Sequence, residues 1–285
     1  MNNTRFFKKT VVTKNSIEEY KYALGSAVSS DRCNRCKPTT EAQAACNLRQ
    51  ATKNLGWLIS ENFGTGDYFI TLTYEGDNPT EEEARMTLDY FLRNMRALYK
   101  KASIPFRYIS KTERGRGTDR IHHHLIINRC SNIKGALYWC WFFGWYKVEV
   151  IDGSDDYHKR LAGYLTMPKG SRPAMKQLYN RSHNLTEPQI IVKEITEPEF
   201  HEAPESTYDT ENGSYNLVES SFQSTEDCMG KPYCCYYYTR HNDMNCFEWF
   251  KEQPKTYQKP RRYCGKKPKK NKNAAKKARR KNRKK

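Results

Sequence analysis

The run from Arg120 to Asn128, which contains three consecutive histidines, constrains the fold of this chain more than any other stretch. Its aliphatic and β-branched residues favour a strand, in which successive side chains point to opposite faces of a sheet. His122 and His124 then lie on one face. His123 lies on the other face, which is mostly apolar and which we expect to pack against helices.

The two histidines that share a face predict a metal site. Imidazoles at positions i and i+2 of a rigid strand place their nitrogens side by side, as a divalent cation requires. Glu113 ends the preceding apolar segment and offers an oxygen ligand. Two imidazoles and a carboxylate with open coordination positions suit Mg²⁺ or Mn²⁺ acting as a Lewis acid. A solvent-exposed histidine cluster, or an inert strand face, is the alternative interpretation.

Positive charge is concentrated near the C-terminus. The chain has 285 residues and a formal net charge of +18, and residues 259–285 contain 16 Lys or Arg and no acidic residue. The other residues therefore carry a net charge of only +2. Such a segment favours a nucleic-acid partner, and its candidate binding residues include Lys266, Lys267, Lys269 and Lys270. A solubilising tail without a specific function is the alternative.

Composition favours a cytoplasmic protein. The chain has no run of about 18 apolar residues, which a membrane span needs. Its basic N-terminus lacks the apolar core of a secretory signal. We therefore expect the 10 cysteines to be reduced. Cys33, Cys36 and Cys46 have a spacing that a zinc site can use, but no fourth ligand is obvious, so free thiols are the alternative.

Hydrophobic periodicity predicts an α+β fold with an antiparallel central sheet of about five strands. We predict strands over residues 68–74, 106–113, 120–128, 145–150 and 189–192. We predict helices over residues 40–63, 80–98, 133–143 and 155–167, the second of which begins with a capping box at Thr80 and Glu83. Short hairpin connections favour helices on one side of the sheet.

Tyr164 is a candidate nucleophile. In a basic protein with a metal site, a phosphodiester is the expected electrophile, and water or a side chain can attack it. Tyr164 lies on the predicted helix that follows the metal strand, next to Ala162 and Gly163, which are small enough to let DNA approach. The chain has 20 tyrosines, and most of them must be structural. The residue pattern alone therefore leaves a structural role for Tyr164 open.

Five stretches, in order, resemble the motifs of the HUH endonucleases, and more narrowly the single-tyrosine rolling-circle replication initiators related to those of filamentous phages. The likeness spans residues 37–188. The matching stretches are residues 69–74, Glu113 with its glycine turn and residues 122–127, residues 141–145, residues 161–166, and residues 182–188. The order of several motifs carries the resemblance, because any one of them alone is weak.

The resemblance implies a function and a site. His122, His124 and Glu113 would bind the metal, and Tyr164 would attack one strand of single-stranded origin DNA. The products would be a 5′-phosphotyrosine link and a free 3′-hydroxyl that primes synthesis, and reversal would rejoin the ends. The chain has no nucleotide-binding G-x-x-x-x-G-K-[ST] motif, so unwinding would fall to a host helicase and synthesis to a host polymerase in a bacterial cell. Candidate DNA-binding residues around the glycine turn are Arg114, Arg116 and Arg120.

Two positions depart from the family pattern. The family usually has a lysine three residues after the tyrosine, where this chain has Met167, and Lys169 is the nearest substitute. The position between the two metal-binding histidines is commonly apolar or aromatic, and here it is His123. We expect His123 to be neutral and hydrogen bonded on the packed face. A register slip of one residue would reverse the roles of the three histidines.

The resemblance also suggests how the chain is divided. We predict a basic N-terminal segment over residues 1–38 and an endonuclease domain of the HUH type (ferredoxin- or RRM-like) over residues 39–195. Residues 196–258 form an accessory region rich in Tyr and Cys whose fold the sequence does not indicate. Residues 259–285 form a basic tail that is disordered alone.

Other functions remain open on the sequence alone. A transposase or relaxase of the same superfamily would use the same motifs. A nucleic-acid-binding protein without catalysis would show binding that weakens steeply with salt and no nick on addition of Mn²⁺. A zinc-dependent structural protein would contain stoichiometric zinc.

Overall fold

Two antiparallel sheets and five α-helices make up the part of the chain that the computed structural model describes, which is residues 4–24, 41–115, 118–167, 178–211, 213–226, 230–240 and 256–258. The helices are α1 (Glu41–Asn62), α2 (Glu81–Lys101), α3 (Ile133–Cys140), α4 (Asp155–Thr166) and α5 (Glu197–His201). The strands are β1 (Arg5–Val12), β2 (Ser16–Leu24), β3 (Tyr68–Thr73), β4 (Tyr108–Arg114), β5 (Ile121–Ile127), β6 (Tyr146–Val150), β7 (Asn180–Arg181), β8 (Gln189–Ile195), β9 (Thr207–Thr210), β10 (Gly213–Leu217), β11 (Gln223–Glu226), β12 (Pro232–Arg240) and β13 (Thr256–Gln258).

The sheet that carries the three histidines, here called sheet 2, has the strand order β13-β6-β3-β5-β4-β7. All of its neighbouring strands are antiparallel. The predicted α+β class with an antiparallel central sheet is therefore confirmed, and the predicted strands β3 to β6 occur within a few residues of their expected bounds. The histidine strand β5 lies in the middle of the sheet, which fixes its side chains on both faces.

Helices cover both faces of sheet 2, so the prediction of helices on one side is wrong. The face with Ile70 and Leu125 packs against α2 and α3. The face with Phe69 and Ile126 packs against α1 and α4. Adjacent residues of β3 and of β5 are apolar and point to opposite faces, so the two central strands must bury both of their sides.

Helix α2 follows its sequence signals closely. The predicted capping box is present: the Thr80 hydroxyl accepts a hydrogen bond from the Glu83 backbone N–H, and the Glu83 carboxylate accepts one from the Thr80 backbone N–H. Its apolar side is buried at Ala84, Leu88, Phe91, Leu92 and Met95, and Leu98 is half-buried. Local capping and helical periodicity were sufficient to place this element.

The other sheet, here called sheet 1, has the order β8-β1-β2-β12-β10-β9, and β11 also pairs with β12. The strand predicted at residues 189–192 exists as β8, but it pairs with β1 and not with the central sheet. The basic N-terminal residues form the hairpin of β1 and β2, and β9 to β12 belong to the region whose fold the sequence did not indicate. Sheet 1 thus joins strands from both sides of the boundaries drawn at residues 38 and 195, and the division into domains stays a prediction.

Helices α1 and α4 lie between the two sheets. Glu18 on β2 accepts a hydrogen bond from the indole N–H of Trp57 on α1, at 2.9 Å, and forms an ion pair of 3.1 Å with Lys159 on α4. The Ser16 hydroxyl donates a hydrogen bond to Asp155 on α4. The same two helices pack with their apolar sides on sheet 2. None of the helices that the structure describes is long and apolar enough to cross a membrane.

Candidate active site

Glu113, His122 and His124 converge on one face of sheet 2. Glu113 on β4 lies directly opposite His122 on β5 in the antiparallel register, and His124 follows on the same face. The Nε2 atoms of His122 and His124 lie 3.2 Å and 2.9 Å from the same Glu113 oxygen, Oε1. The structure therefore brings the three side chains together.

Neighbouring groups fix how each histidine ring is turned. The Nδ1 atom of His122 lies 3.2 Å from the Arg120 carbonyl oxygen, which can only accept a hydrogen bond. The Nδ1 atom of His124 lies 3.1 Å from the Thr71 hydroxyl on β3. A hydrogen bond from His122 Nδ1 to the Arg120 carbonyl leaves Nε2 facing the Glu113 carboxylate. Such contacts outside the ligand set orient metal-binding histidines in proteins.

The donor set fits a divalent cation. Imidazole nitrogens and a carboxylate oxygen are ligands that divalent cations take in proteins. Adjacent ligands of an octahedral Mg²⁺ ion at 2.0–2.1 Å are about 2.9 Å apart, close to the two observed Nε2–Oε1 separations. The three donor atoms lie within 4.8 Å of one another, so one ion can contact all of them. The residues present therefore suit a metal ion, whose identity the donor set alone does not fix.

Lys111 holds the second oxygen of Glu113. Its Nζ lies 2.9 Å from Glu113 Oε2 and donates a hydrogen bond to the carbonyl of Met167, just after the end of α4. Burial raises the pKa of the Glu113 carboxyl, but hydrogen bonds from His122, His124 and Lys111 outweigh burial and hold that pKa well below its ordinary value. The carboxylate therefore stays ionised and available as an oxygen ligand at neutral pH.

His123 points to the opposite face, as predicted. It is fully buried, and its two ring nitrogens are hydrogen bonded to the Thr112 and Tyr74 hydroxyls at 2.7 Å each. Burial, with smaller contributions from His122 and His124, lowers the pKa of His123 to about 3, so the ring is neutral. The prediction of a neutral, hydrogen-bonded histidine is confirmed.

Tyr164 lies beside the three converging side chains. Its hydroxyl oxygen is 3.2 Å from His124 Nε2, and its ring meets the His124 ring edge to face. Phe69 stacks on His124 and contacts Tyr164, which fixes both rings against β3. Tyr164 is 39% exposed, so part of the residue is accessible from outside. The structure therefore brings the predicted nucleophile to the predicted metal ligands.

The two small residues before Tyr164 have different roles. Ala162 is fully buried and packs close to Gly56 of α1, so it lets the two helices approach each other. The expectation that Ala162 makes room for DNA is wrong, because it faces the helix interface. Gly163 has open space around it, since a β-carbon added there meets nothing within 4 Å among the described residues.

Two of the predicted DNA-binding arginines make intramolecular contacts. Arg114 forms ion pairs with Glu81 at 2.8 Å and with Asp119 at 3.1 Å. Arg120 is exposed and donates hydrogen bonds to the carbonyls of Tyr74 and Gly76. Their role in DNA binding stays a prediction.

Several other predicted residues lie outside the described part of the chain. They are Arg116, Lys169, Lys266, Lys267, Lys269 and Lys270, together with Cys33 and Cys36 of the possible zinc site. The third cysteine of that site, Cys46, is exposed on α1 with a free thiol.

Sequence reasoning missed Lys111 and Thr71. Lys111 precedes Glu113 by two residues on β4, so strand alternation places it on the metal-binding face. Thr71 is paired with His124 across the β3–β5 ladder. Alternation along β4 could have identified Lys111, whereas the Thr71 contact depends on a strand register that local sequence does not specify.

Residues 67–168 match the family model of replication-associated protein ORF2. The matched segment runs from the start of β3 to just beyond α4, and so contains Glu113, His122, His124 and Tyr164. It covers a little over a third of the chain. The match supports a replication initiator, with DNA as its partner. The comparisons with curated proteins and with solved structures gave no match.

Proposed function

We propose that this protein initiates rolling-circle replication of a phage or plasmid by nicking one strand of its origin DNA and later rejoining it. The observation that carries the proposal is the position of Tyr164, whose hydroxyl lies 3.2 Å from His124 Nε2 where Glu113 and two histidines converge. A half-exposed phenol beside a divalent-cation site is suited to attack a phosphodiester. The match of this segment to a replication-associated family is consistent with that chemistry.

Glu113, His122 and His124 would hold the metal ion, which we propose to be Mg²⁺ or Mn²⁺. When bound, the ion supplies Lewis-acid polarisation of a non-bridging phosphate oxygen. Lys111 contributes by keeping the Glu113 carboxylate ionised and fixed through its other oxygen. Thr71 and the Arg120 carbonyl keep both Nε2 atoms directed at the site.

Tyr164 would carry the covalent step. Its phenolic oxygen forms a bond to phosphorus as the phenol loses its proton, and the bond between phosphorus and the 3′-oxygen breaks. The departing 3′-oxygen takes up a proton and becomes a free 3′-hydroxyl, which primes synthesis. The 5′-phosphate stays linked to Tyr164, and attack by a 3′-hydroxyl reverses the step and closes the strand.

The other components would come from the host. The sequence contains no G-x-x-x-x-G-K-[ST] motif, so a separate helicase would unwind the duplex and a host polymerase would extend the 3′-hydroxyl. Lys169, which follows Tyr164 by five residues, is proposed as a second catalytic group that contacts the phosphate.

The test is incubation with single-stranded origin oligonucleotides and Mn²⁺, followed by a denaturing gel. We expect a cleaved strand and a slower protein band that carries DNA. Tyr164→Phe should abolish both, whereas Tyr157→Phe, on the same helix and half-buried, should keep both. Cleavage that persists in Tyr164→Phe would exclude the tyrosine mechanism. Oligonucleotide binding without any Mn²⁺-dependent nick would favour a non-catalytic DNA-binding protein.

A further inference from the structure

A row of aromatic side chains lies on the α1-facing side of sheet 1, away from the candidate active site. Strand register places Lys9 opposite Tyr20, and Phe7 opposite Tyr22. Tyr22 is in turn opposite Tyr233 of β12. These five side chains are half-buried, so each leaves part of its surface accessible. Together with the exposed Lys53 and the buried Trp57 of α1, they are called here the aromatic surface.

The rings of this surface form two groups of contacts. Phe7 stacks on Tyr22, with ring centroids 5.8 Å apart and planes 20° from parallel. Tyr20 contacts Trp57 edge to face at 6.2 Å and Tyr233 at 6.4 Å. The Tyr20 hydroxyl is hydrogen bonded to Glu18, which fixes the ring. The ring faces therefore have fixed positions before any ligand arrives.

Two lysines add positive charge to the rings. The Lys9 Nζ lies 4.7 Å from the centroid of the Trp57 ring, and the Lys53 Nζ lies 4.8 Å from that of Tyr20. Neither ammonium has a carboxylate within ion-pair distance among the described residues, whereas Arg5 nearby is paired with Glu194. Burial and the neighbouring charge of Lys53 lower the pKa of Lys9. An anion bound between the two lysines would relieve this repulsion.

A cavity opens beside the aromatic surface. Its volume is about 420 Å³, and it lies between sheet 1 and helices α1 and α4. Tyr20, Lys53, Trp57 and Tyr237 line it together with polar side chains that include the carboxylates of Glu18 and Asp155. Cavities of about 300–1,000 Å³ hold small organic ligands, so this one has room for a base.

The aromatic surface is joined to the helix that carries Tyr164. Thr52, next to Lys53 on α1, is hydrogen bonded through its hydroxyl to the Thr166 hydroxyl at 2.6 Å. Thr166 follows Tyr164 by two residues on α4. The aromatic surface and Tyr164 are therefore linked through contacting residues of α1 and α4.

We propose that the aromatic surface is a second binding site for single-stranded DNA, separate from the nicking site. Unpaired bases stack on its half-buried rings, and phosphates lie between Lys9 and Lys53. Stacking on fixed aromatic rings beside cations is the usual mode of single-strand binding, and a duplex cannot use it because its bases are already stacked. The choice of DNA over RNA rests on the proposed replication function.

The first test measures binding of the full-length protein to fluorescent oligo-dT without metal, so that no nicking contributes. In the double variant Lys9→Gln with Lys53→Gln, the magnitude of the slope of log affinity against log salt should fall by about 1.4, because each lost phosphate contact contributes about 0.7. Binding at about 0.1 M salt should weaken about 20-fold. The control is Lys100→Gln with Lys101→Gln, two exposed lysines at the end of α2. Equal affinity and slope in the two double variants would overturn the proposal.

A second pair of variants tests stacking. Tyr22→Leu should weaken oligo-dT binding by about 5- to 100-fold, while Tyr22→Phe keeps the ring and should bind like the wild type. Ultraviolet cross-linking of bromouracil-substituted DNA should label peptides of β1, β2 or β12. Equal binding by the Leu and Phe variants, or cross-links confined to other segments, would contradict the proposal.

The outcomes separate this site from the proposed nicking function. Loss of nicking in Tyr164→Phe with unchanged oligo-dT binding leaves the second site intact. If the double variant Lys9→Gln with Lys53→Gln binds oligo-dT like the wild type and nicks normally, the second site is refuted and the proposed nicking function is not. Tighter binding of oligo-rU than oligo-dT would overturn the assignment to DNA.

Discussion

Three consecutive histidines take two different roles because a strand alternates its faces. His122 and His124 direct their Nε2 atoms at Glu113, whereas His123 is buried on the other face between two hydroxyl groups. A change at one position is therefore expected to affect metal binding, and the same change at the neighbouring position to affect stability.

The same substitution on each face tests this assignment. His124→Phe removes one of three protein ligands and should weaken Mn²⁺ binding more than about 100-fold, since changes even to supporting residues cost 10- to 100-fold. His123→Phe should leave Mn²⁺ affinity nearly unchanged but lower the free energy of unfolding by about 2 kcal/mol, because two buried hydroxyls lose their partner. Calorimetric titration and urea unfolding measure the two quantities. Loss of Mn²⁺ binding in His123→Phe would show that the register is wrong.

His158 on α4 is a buried histidine outside the candidate site. It is fully buried, and neither ring nitrogen has a hydrogen-bond partner among the residues described. Burial lowers its pKa to about 4, although the charges of Asp155 and Asp152 act in the opposite direction. The folded protein therefore keeps this ring neutral at pH values where the unfolded chain protonates it.

This difference predicts a pH dependence of stability. Below the unfolded pKa of about 6.5 the unfolded chain gains a proton that the folded protein does not, so stability falls as the pH drops from 6.5 towards 4. The contribution of His158 should reach about 3 kcal/mol at the lower end of that range. In His158→Leu this part of the pH dependence should disappear, as measured by urea unfolding at about pH 7 and about pH 4.5.

His123 serves as the internal reference for that comparison. The pKa of His123 is also lowered, but it is lowered in the wild type and in His158→Leu alike. Its contribution to the pH dependence of stability therefore cancels in the difference between the two proteins. Identical pH dependence in wild type and His158→Leu would contradict the assignment.

At the scale of elements, Gly144 controls how the segment after α3 reaches β6. A β-carbon at this position would lie 2.0 Å from the Thr73 carbonyl oxygen and 2.6 Å from Tyr74 Cα. The segment runs alongside the end of β3, where the Thr73 N–H donates to the Trp145 carbonyl and the Glu75 N–H donates to the Phe143 carbonyl. Only a residue without a side chain permits this backbone approach.

Gly144→Ala should therefore lower the free energy of unfolding by about 2–3 kcal/mol, because backbone must move to make room. Gly163→Ala is the matched control, since its β-carbon would meet nothing among the described residues and alanine favours the helix interior by about 1 kcal/mol. Chemical denaturation of both variants measures the change. A Gly144→Ala protein as stable as the wild type would refute the close approach.

At the scale of the whole molecule, the 16 basic residues of 259–285 hold most of the positive charge. We expect a chain ending at Gln258 to lose several units from the salt slope of single-strand binding, since each lost phosphate contact contributes about 0.7. Metal-dependent nicking should persist at higher protein concentration, because Glu113, His122, His124 and Tyr164 are retained. Binding isotherms at several salt concentrations, with a nicking assay, measure both effects. An unchanged salt slope would show that residues 259–285 do not contribute to single-strand binding.

Local sequence signals accounted for much of sheet 2 and its helices. The capping box of α2, the β-branched run of β3 and the alternating histidine strand predicted elements within a few residues of their observed bounds. Alternation also separated His123 from the two candidate ligands. These features depend on residues within a turn or two of each other, so the sequence carries them directly.

Long-range pairing accounts for what was missed. Residues of β8 have an apolar strand pattern but nothing that selects as partner β1, which lies far earlier in the chain. The burial of Ala162 against Gly56 likewise depends on how α1 and α4 meet. Such contacts are chosen by competition among all the surfaces that the chain can bury, which no local window contains.

By itself, the sequence determined the α+β class, the strand that presents His122 and His124 on one face, and the separation of a nearly neutral body from a basic tail. Only the tertiary structure decided that Tyr164 lies beside those histidines, that Lys111 holds Glu113, and that the N-terminal hairpin forms part of sheet 1. The physical reason is that alternation and charge are properties of neighbouring residues. The meeting of β4, β5 and α4 is instead a property of the whole packed core.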